Sequence, residues 1–399
     1  MIPDGWKQAR LGDHVNIFSG DAPANVTFAT DCGLPYVKVE DMNACAKYQR
    51  ESREYVSGIR NPVPSRSIIF PKRGAAIMGN KVRIAATAIA IDTNMMALSP
   101  AASLDSEFLY YSLTHTKLFK IADTSTIPQI NNKHILPYQF LLPPVAEQRR
   151  IAEILSTWDR AIEATEKLIA NSQLQKKALM QQLLTGKKRL PGFAGEWRFE
   201  RICDVSDRVS RRNDGQGLPI LMISSSQGFV RQDEKFNRYM AGKSADDYIS
   251  LRQGEFAYNK GNSKTYEFGC IFPLENYTEA LVPHVYVCFA MKADHDADFY
   301  KVLFESDYLR PQLKRIVKTG VRNNGLLNIT PSEFLETTVP VPPLDEQRAI
   351  SKTLSAATAV VQRLTGRLEH LRTEKSALMQ QLLTGKRRVK LPSAQEEAA

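Results

Sequence analysis

No stretch of the chain approaches the roughly 18 uninterrupted apolar residues that a membrane-spanning helix requires, so a transmembrane helix is excluded. The opening Met1-Ile2-Pro3-Asp4-Gly5-Trp6 has no basic segment leading into an apolar one, so no secretory signal is expected. The five cysteines, Cys32, Cys45, Cys203, Cys270 and Cys288, are odd in number, widely spread and without a Cys-x-x-Cys pair. That pattern argues for reduced, structural thiols and a cytoplasmic location. Charge of one sign is also in short supply: 53 Lys+Arg against 43 Asp+Glu leave a net charge of +10 over 399 residues. The excess hints at a polyanionic partner without establishing one. With 43% apolar and 24% charged residues, the composition is that of an ordinary globular protein of two or three domains.

Recognisable catalytic motifs are missing too. Pro143-Pro144 and Pro342-Pro343 follow Leu142 and Val341, so there is no Asn/Asp-Pro-Pro-aromatic motif of the kind that holds a flipped adenine for amino methylation. No Glu is followed two residues later by Lys, which weakens a metal-dependent nuclease site. Gly242-Lys243-Ser244 looks like the end of a P-loop, but Asn237 stands where its first glycine belongs. The six histidines have no metal-ligand spacing, and His14, His134 and His284 are expected to be buried structural residues. The chain is therefore not expected to be an enzyme.

What it does have is an internal repeat. Pro143-Pro-Val-Ala-Glu-Gln-Arg-Arg-Ile returns at Pro342 as Pro-Pro-Leu-Asp-Glu-Gln-Arg-Ala-Ile. Ala178-Leu-Met-Gln-Gln-Leu-Leu-Thr-Gly-Lys returns unchanged at Ala377. Both share an offset of 199, so residues 143–190 and 342–389 align without a gap and 20 of 48 positions are identical. Trp6, Leu11 and Asp13 echo more weakly in Trp197, Ile202 and Asp204, at an offset of 191. The segments are thus a variable block 1–142, a helical repeat 143–190, a variable block 191–341, a helical repeat 342–391, and a tail 392–399 expected to be disordered.

Each repeat reads as one long helix. The paired prolines lead into it, Glu147 and Glu346 suit its positive end, and Gly186 and Gly385 stop it, with basic residues just beyond. A 4-3-4-3 spacing selects Ile151, Leu155, Trp158, Ile162, Thr165, Ile169, Ser172, Lys176, Leu179 and Leu183. The same phase selects Ile350, Leu354, Ala357, Val361, Leu364, Leu368, Leu371, Lys375, Leu378 and Leu382. This is a coiled-coil seam whose natural mate is the other copy; the alternative is an amphipathic helix lying on its own domain. Gly366 weakens the second helix and marks a place where it can bend.

The variable blocks alternate short β-rich runs, such as Ser67-Ile-Ile-Phe and His284-Val-Tyr-Val-Cys-Phe-Ala, with helical stretches over 104–120 and 298–318. They read as two compact α/β domains. Block 191–341 holds 19 basic and 20 acidic residues, so any nucleic-acid surface there must be a local patch. Candidate patches exist. Lys72, Arg73, Lys81 and Arg83 surround a glycine-containing turn, and Gln129 and Asn131 with Lys133 offer amides that can pair with adenine. Counterparts in the second block are Lys260, Asn262 and Lys264, then Lys318, Arg322 and Asn323, with Arg211 and Arg212. Any one of these can be a merely solvated loop residue; the set, present in both blocks, points to DNA.

Two variable domains, each followed by a Pro-Pro-x-x-Glu-Gln-Arg helix ending in Leu-Met-Gln-Gln-Leu-Leu-Thr-Gly-Lys, resemble the specificity subunit of type I restriction-modification enzymes. Phe70-Pro-Lys-Arg-Gly-Ala-Ala-Ile, Ile127-Pro-Gln-Ile-Asn and Gly254-Glu-Phe-Ala-Tyr-Asn-Lys resemble its target-recognition domains, whereas Gly325-Leu-Leu-Asn-Ile departs from them. The resemblance implies an α+β chain with a pseudo-two-fold repeat: two α/β target-recognition domains separated by two long helices that pair as an intramolecular antiparallel coiled coil. It implies a DNA-binding subunit of a restriction system that defends against foreign DNA, reading a bipartite, asymmetric double-stranded site. Glu147, Gln148, Arg149, Leu179 and Leu183, with Glu346, Gln347, Arg348, Leu378 and Leu382, would belong to the spacer and partner-docking helices. Two copies of the adenine-N6 methylation subunit would dock there and motor-nuclease subunits would join. S-adenosylmethionine, ATP and Mg would sit on those partners, leaving this chain without a cofactor.

Three other readings compete. A stand-alone DNA-binding regulator would not co-purify with a methylation subunit. A coiled-coil scaffold would show no salt-sensitive binding to duplex DNA. An enzyme fused to recognition domains finds no room for a catalytic domain beside the assigned segments.

Overall fold

Both repeats form unbroken 39-residue helices, Val145–Leu183 and Leu344–Leu382, in the computed structural model. The structure describes residues 2–29, 33–215, 217–233, 247–317 and 326–391. All twenty seam positions are buried or half-buried, while most of their helix neighbours are exposed, so the 4-3-4-3 phase is correct. The central helix begins one residue after its proline pair, as does the C-terminal one. Gly366 does not interrupt the latter.

The chain groups into two units, Met1–Lys167 with Gly366–Ala399, and Leu168–Thr365. This differs from four consecutive segments. Each variable block packs with the start of its own helix and the end of the other, so the helices are shared rather than separate. In the first unit, Asp159 pairs with Lys375 and Glu166 with Arg372, an antiparallel arrangement. In the second, Leu183 and Leu184 share a core with Ile350 and Leu354, again antiparallel.

The first unit contains a five-stranded sheet in the order Val15–Ser19, Met95–Pro100, Ile68–Pro71, Arg83–Ala85, Tyr48–Gln49. The strands of a four-stranded sheet, in the order 27–29, 55–57, 34–37 and 90–91, are interleaved with it along the chain. In the second unit, a four-stranded sheet runs Ser206–Arg208, Val287–Met291, Phe256–Asn259, Cys270–Pro273. Its antiparallel order repeats that of the first four strands above. The entry strands repeat as well: Lys7–Arg10 pairs with Gln139–Leu142, and Arg198–Arg201 with Thr338–Val341. The duplication visible in the helices therefore extends through the variable blocks, where sequence divergence had hidden it.

Each block also packs a helical segment against its sheet. The first is Ser106–Thr116, N-capped by Asp105, whose carboxylate accepts from the Glu107 and Phe108 N–H groups at 2.9 and 3.0 Å. The expected 298–318 helix is two, Ala297–Glu305 and Arg310–Ile316, because Asp307 adopts a positive φ of 58° and turns the chain.

Candidate nucleic-acid interface

In the first domain the strand Ile68–Pro71 delivers Lys72 and Arg73 to a turn that Gly74 makes possible, with φ at 78°. The turn is joined to a second loop. Ile130 N–H donates to the Lys72 carbonyl at 2.9 Å, and Gly74 N–H donates to the Pro128 carbonyl at 2.8 Å. That second loop is itself closed by reciprocal 2.9 Å bonds between Asp123 and Gln129. The Asp123 carboxylate also accepts the Ser125 N–H at 3.0 Å and its hydroxyl at 2.7 Å, which holds its pKa below the usual range. Asn131 opens the short helix Asn132–Ile135, and its N–H donates to His134 Nδ1 at 3.0 Å. Lys72, Arg73, Gln129, Asn131 and Lys133 are thereby brought together.

The loop faces differ in availability. Arg73 and Lys133 are exposed, and so are Thr124, Ser125 and Thr126. Ile127 is 70% exposed, an apolar side chain at the loop tip. Lys72 is half-buried, and burial followed by the adjacent Arg73 lowers its pKa. Lys81 donates to Asn43 Oδ1 at 2.7 Å. Arg83 has another task than the one expected of it. Its guanidinium donates to the carbonyls of Met42, Cys45 and Val82 at 2.9, 2.8 and 2.8 Å, so it holds backbone together instead of facing a ligand.

The second domain builds the same junction from different letters. Leu327 N–H donates to the Lys260 carbonyl at 3.0 Å, and Gly261 bridges Leu326. Lys260 thus occupies the place of Lys72, and Leu326 that of Gln129. The Lys260 ammonium donates to the Ile329 carbonyl at 3.1 Å, which braces the loop. Asn262 and Lys264 are exposed beside it. Underneath, Tyr258 stacks on Phe334 with centroids 4.2 Å apart, fixing the strand end that carries Lys260. Arg212 is exposed, but Arg211 is ion-paired with Glu255 and half-buried, so it is not a free reader. Lys318, Arg322 and Asn323 lie outside the described residues, as does Gly242-Lys243-Ser244.

The Glu-Gln-Arg motif proves to be mostly internal. Glu147 is 2% exposed and accepts from Arg388 Nε and Nη2 at 2.7 and 2.8 Å and from the Trp6 indole N–H at 3.0 Å. Glu346 is fully buried and accepts from Arg189 at 2.6 and 2.5 Å and from Trp197 at 3.0 Å. Gln148 accepts the Asp105 N–H at 2.7 Å and donates to the Ser103 and Pro143 carbonyls at 3.0 and 2.8 Å. Gln347 accepts the Asp296 N–H at 2.8 Å and donates to Pro342 at 2.8 Å. These four residues therefore bind their own chain and are not a docking surface. Leu179, Leu183, Leu378 and Leu382 pack inward likewise. Only Arg149 and Arg348 of the motif are exposed. Trp6, Trp197, Arg189 and Arg388 stood out in the sequence as an echo and as cations past the helix stops, without their shared target.

The histidines depart from expectation: His14 and His134 are half-buried and hydrogen-bonded, and His284 is exposed. Cys45, Cys203, Cys270 and Cys288 are free thiols. Among the described residues no cluster could hold a metal ion, and no helix is long and apolar enough to cross a membrane.

Residues 3–171 match the profile of the type I restriction modification DNA specificity domain. The MjaVIII specificity subunit of Methanocaldococcus jannaschii is 23% identical over 98% of this chain and 94% of that protein. Over nearly its whole length the chain is thus similar to type I restriction enzyme specificity subunits. A second relative from that organism, the putative MjaX specificity subunit, is 25% identical over 74% of this chain and 72% of its own length. The fold agrees: the S subunit of M. genitalium superposes with a TM-score of 0.56 at 16% identity, covering 96% of each chain. The HsdS subunit of Thermoanaerobacter tengcongensis gives 0.51 at 17%, covering 97% and 98%.

Proposed function

We propose that each α/β domain reads one half of a bipartite, asymmetric DNA site through its zipped loop pair. The first pair joins Lys72–Arg73 to Gln129–Lys133, and the second joins Lys260–Lys264 to Leu326–Ile329. The observation that carries this reading is the repetition of one junction, with Lys72 and Lys260 in equivalent places, in two domains whose sequences have diverged. Shared backbone bonds with unlike side chains suit two readers of unlike sequences: cations meet phosphate while amides and small side chains meet base edges. Gln129 can pair bidentately with adenine, whereas Leu326 at the same place cannot, so the halves of the target differ there.

The paired helices act as a spacer fixing the number of unread base pairs between the halves. Their exposed faces, including Arg149 and Arg348, receive two copies of an adenine-N6 methylation subunit, and motor-nuclease subunits join that core. S-adenosylmethionine, ATP and Mg belong to those partners.

The test is a genome-wide map of N6-methyladenine in the source cell, with and without this chain. A split motif with a fixed gap, lost on deletion, supports the reading. Unaltered methylation, or an undivided motif, sinks it. The scaffold alternative is checked by duplex binding across a salt series, since six or more phosphate contacts make affinity fall steeply with salt.

A further inference from the structure

Lys47 is a cation almost out of water. It precedes the edge strand Tyr48–Gln49 of the first five-stranded sheet, yet its side chain is 10% exposed. Its ammonium donates to the Tyr111 hydroxyl at 2.7 Å, is paired with Glu107, and lies 3.5 Å from Asp159 Oδ2. The Tyr111 hydroxyl donates to the same Asp159 oxygen. Lys375 takes the other oxygen at 2.5 Å. The rings of Tyr110 and Tyr111 stand 5.2 and 4.5 Å from the Lys47 nitrogen. Two cations and two carboxylates thus join four elements: the sheet edge, the helix Ser106–Thr116, the central helix and the C-terminal helix.

Desolvation offsets most of the attraction in such a cluster, so it adds little stability over an apolar contact. Geometry is another matter. Any shift of the domain against the helices separates charges that are partly withdrawn from water, and so the arrangement favours one docking angle over others.

Among the described residues the second unit has no such cluster. The 199-residue repeat puts Lys176 in the place of Lys375 but Thr358 in the place of Asp159. Asp105 and Asp296 bond equivalent glutamines, which fixes the domain offset at 191 and places Lys301 and Val302 where Tyr110 and Tyr111 stand. Thr358 bonds back to the Leu354 carbonyl at 2.9 Å, and Lys301 pairs with Glu275. Lys176 lines an open cleft of about 500 Å³ with Ser225, Tyr266 and Glu305.

We infer that the Lys47–Asp159–Lys375 cluster is a positioning device: it sets the angle of the first recognition domain on the spacer, and with it the phase at which that half-site is accepted. Among the described residues the second domain has no equivalent restraint. The inference rests on the half-site reading proposed above.

The test uses the assembled complex and three duplexes bearing the target from the methyladenine map, with the native gap or with one base pair more or fewer. In Lys47→Met and in the isosteric Asp159→Asn, preference for the native gap falls severalfold while base preference within each half-site is kept. Lys47→Arg restores the preference, and Lys176→Met leaves it at the wild-type level. A purely structural role would weaken binding to all three duplexes together and leave their ratios unchanged. Unchanged ratios in a folded Asp159→Asn complex overturn the inference alone. A wild-type complex indifferent to the split target overturns the half-site reading, and this inference with it.

Discussion

Arg388 and Glu147, 241 residues apart, meet through two hydrogen bonds of 2.7 and 2.8 Å. Arg189 and Glu346 repeat the contact at 2.6 and 2.5 Å in the other unit. In each case the basic group just past the end of one helix closes on the buried first-turn carboxylate of the other. The bidentate geometry suits arginine and would be poorly served by lysine. Each carboxylate also takes an indole N–H, from Trp6 or Trp197.

Trp6→Phe and Trp197→Phe keep the ring and remove that N–H from a buried acceptor. Each should cost about 1–3 kcal/mol. The check is a urea titration, where the midpoint falls with the slope unchanged. No change in either variant would show that the indole bond contributes nothing.

Gln148→Leu leaves the Asp105 N–H and the Ser103 and Pro143 carbonyls without their partner. A loss of at least about 2 kcal/mol is expected. Arg149→Glu with Arg348→Glu should instead leave the melting temperature within about 2 °C of wild type. That double variant should fail to co-purify with the methylation subunit, since these exposed cations are the part of the motif open to a partner.

Arg73→Ala removes an exposed cation from the first loop junction. Affinity for the target should fall, and the slope of log affinity against log salt should drop by about one. Arg83→Ala, by contrast, frees the Met42, Cys45 and Val82 carbonyls and should act on folding stability. Equal salt slopes for wild type and Arg73→Ala would remove Arg73 from the phosphate contacts.

Leu368→Glu places a carboxylate at a seam position that is 9% exposed. Several kcal/mol of destabilisation are expected, on the order of 3 or more. Circular dichroism melts of the variant check this, with Arg367→Glu, one step around the helix and exposed, as the reference.

The helices were legible in the sequence because a seam needs a strict period, and a period survives even when Ser172 or Thr165 occupies a slot. The loop pairs were legible only in part. Lys72 and Gln129 stood out as residue types, but the bonds that zip their loops are between backbone groups, which carry no side-chain signature. Arg83 looked the same as Arg73 in sequence, and only the position of three carbonyls separates them. Lys47 was invisible for a related reason. An isolated lysine before a short strand reads as solvated, and its partners Glu107, Tyr111 and Asp159 come from two distant segments.

The Arg388 side chain also donates to the Asp4 carbonyl at 2.7 Å, and Arg189 donates to the Gly195 carbonyl in the matching place. Asp4 is far from Arg388 along the chain, whereas Gly195 follows Arg189 by six residues, yet both arginines are used alike. Each arginine therefore ties the segment that opens a domain to the end of a long helix, whether or not a short covalent link runs between them. A variant opened between residues 190 and 196, with residue 390 tethered to residue 3 by a short flexible linker, should fold to the same molecule, read in a new order.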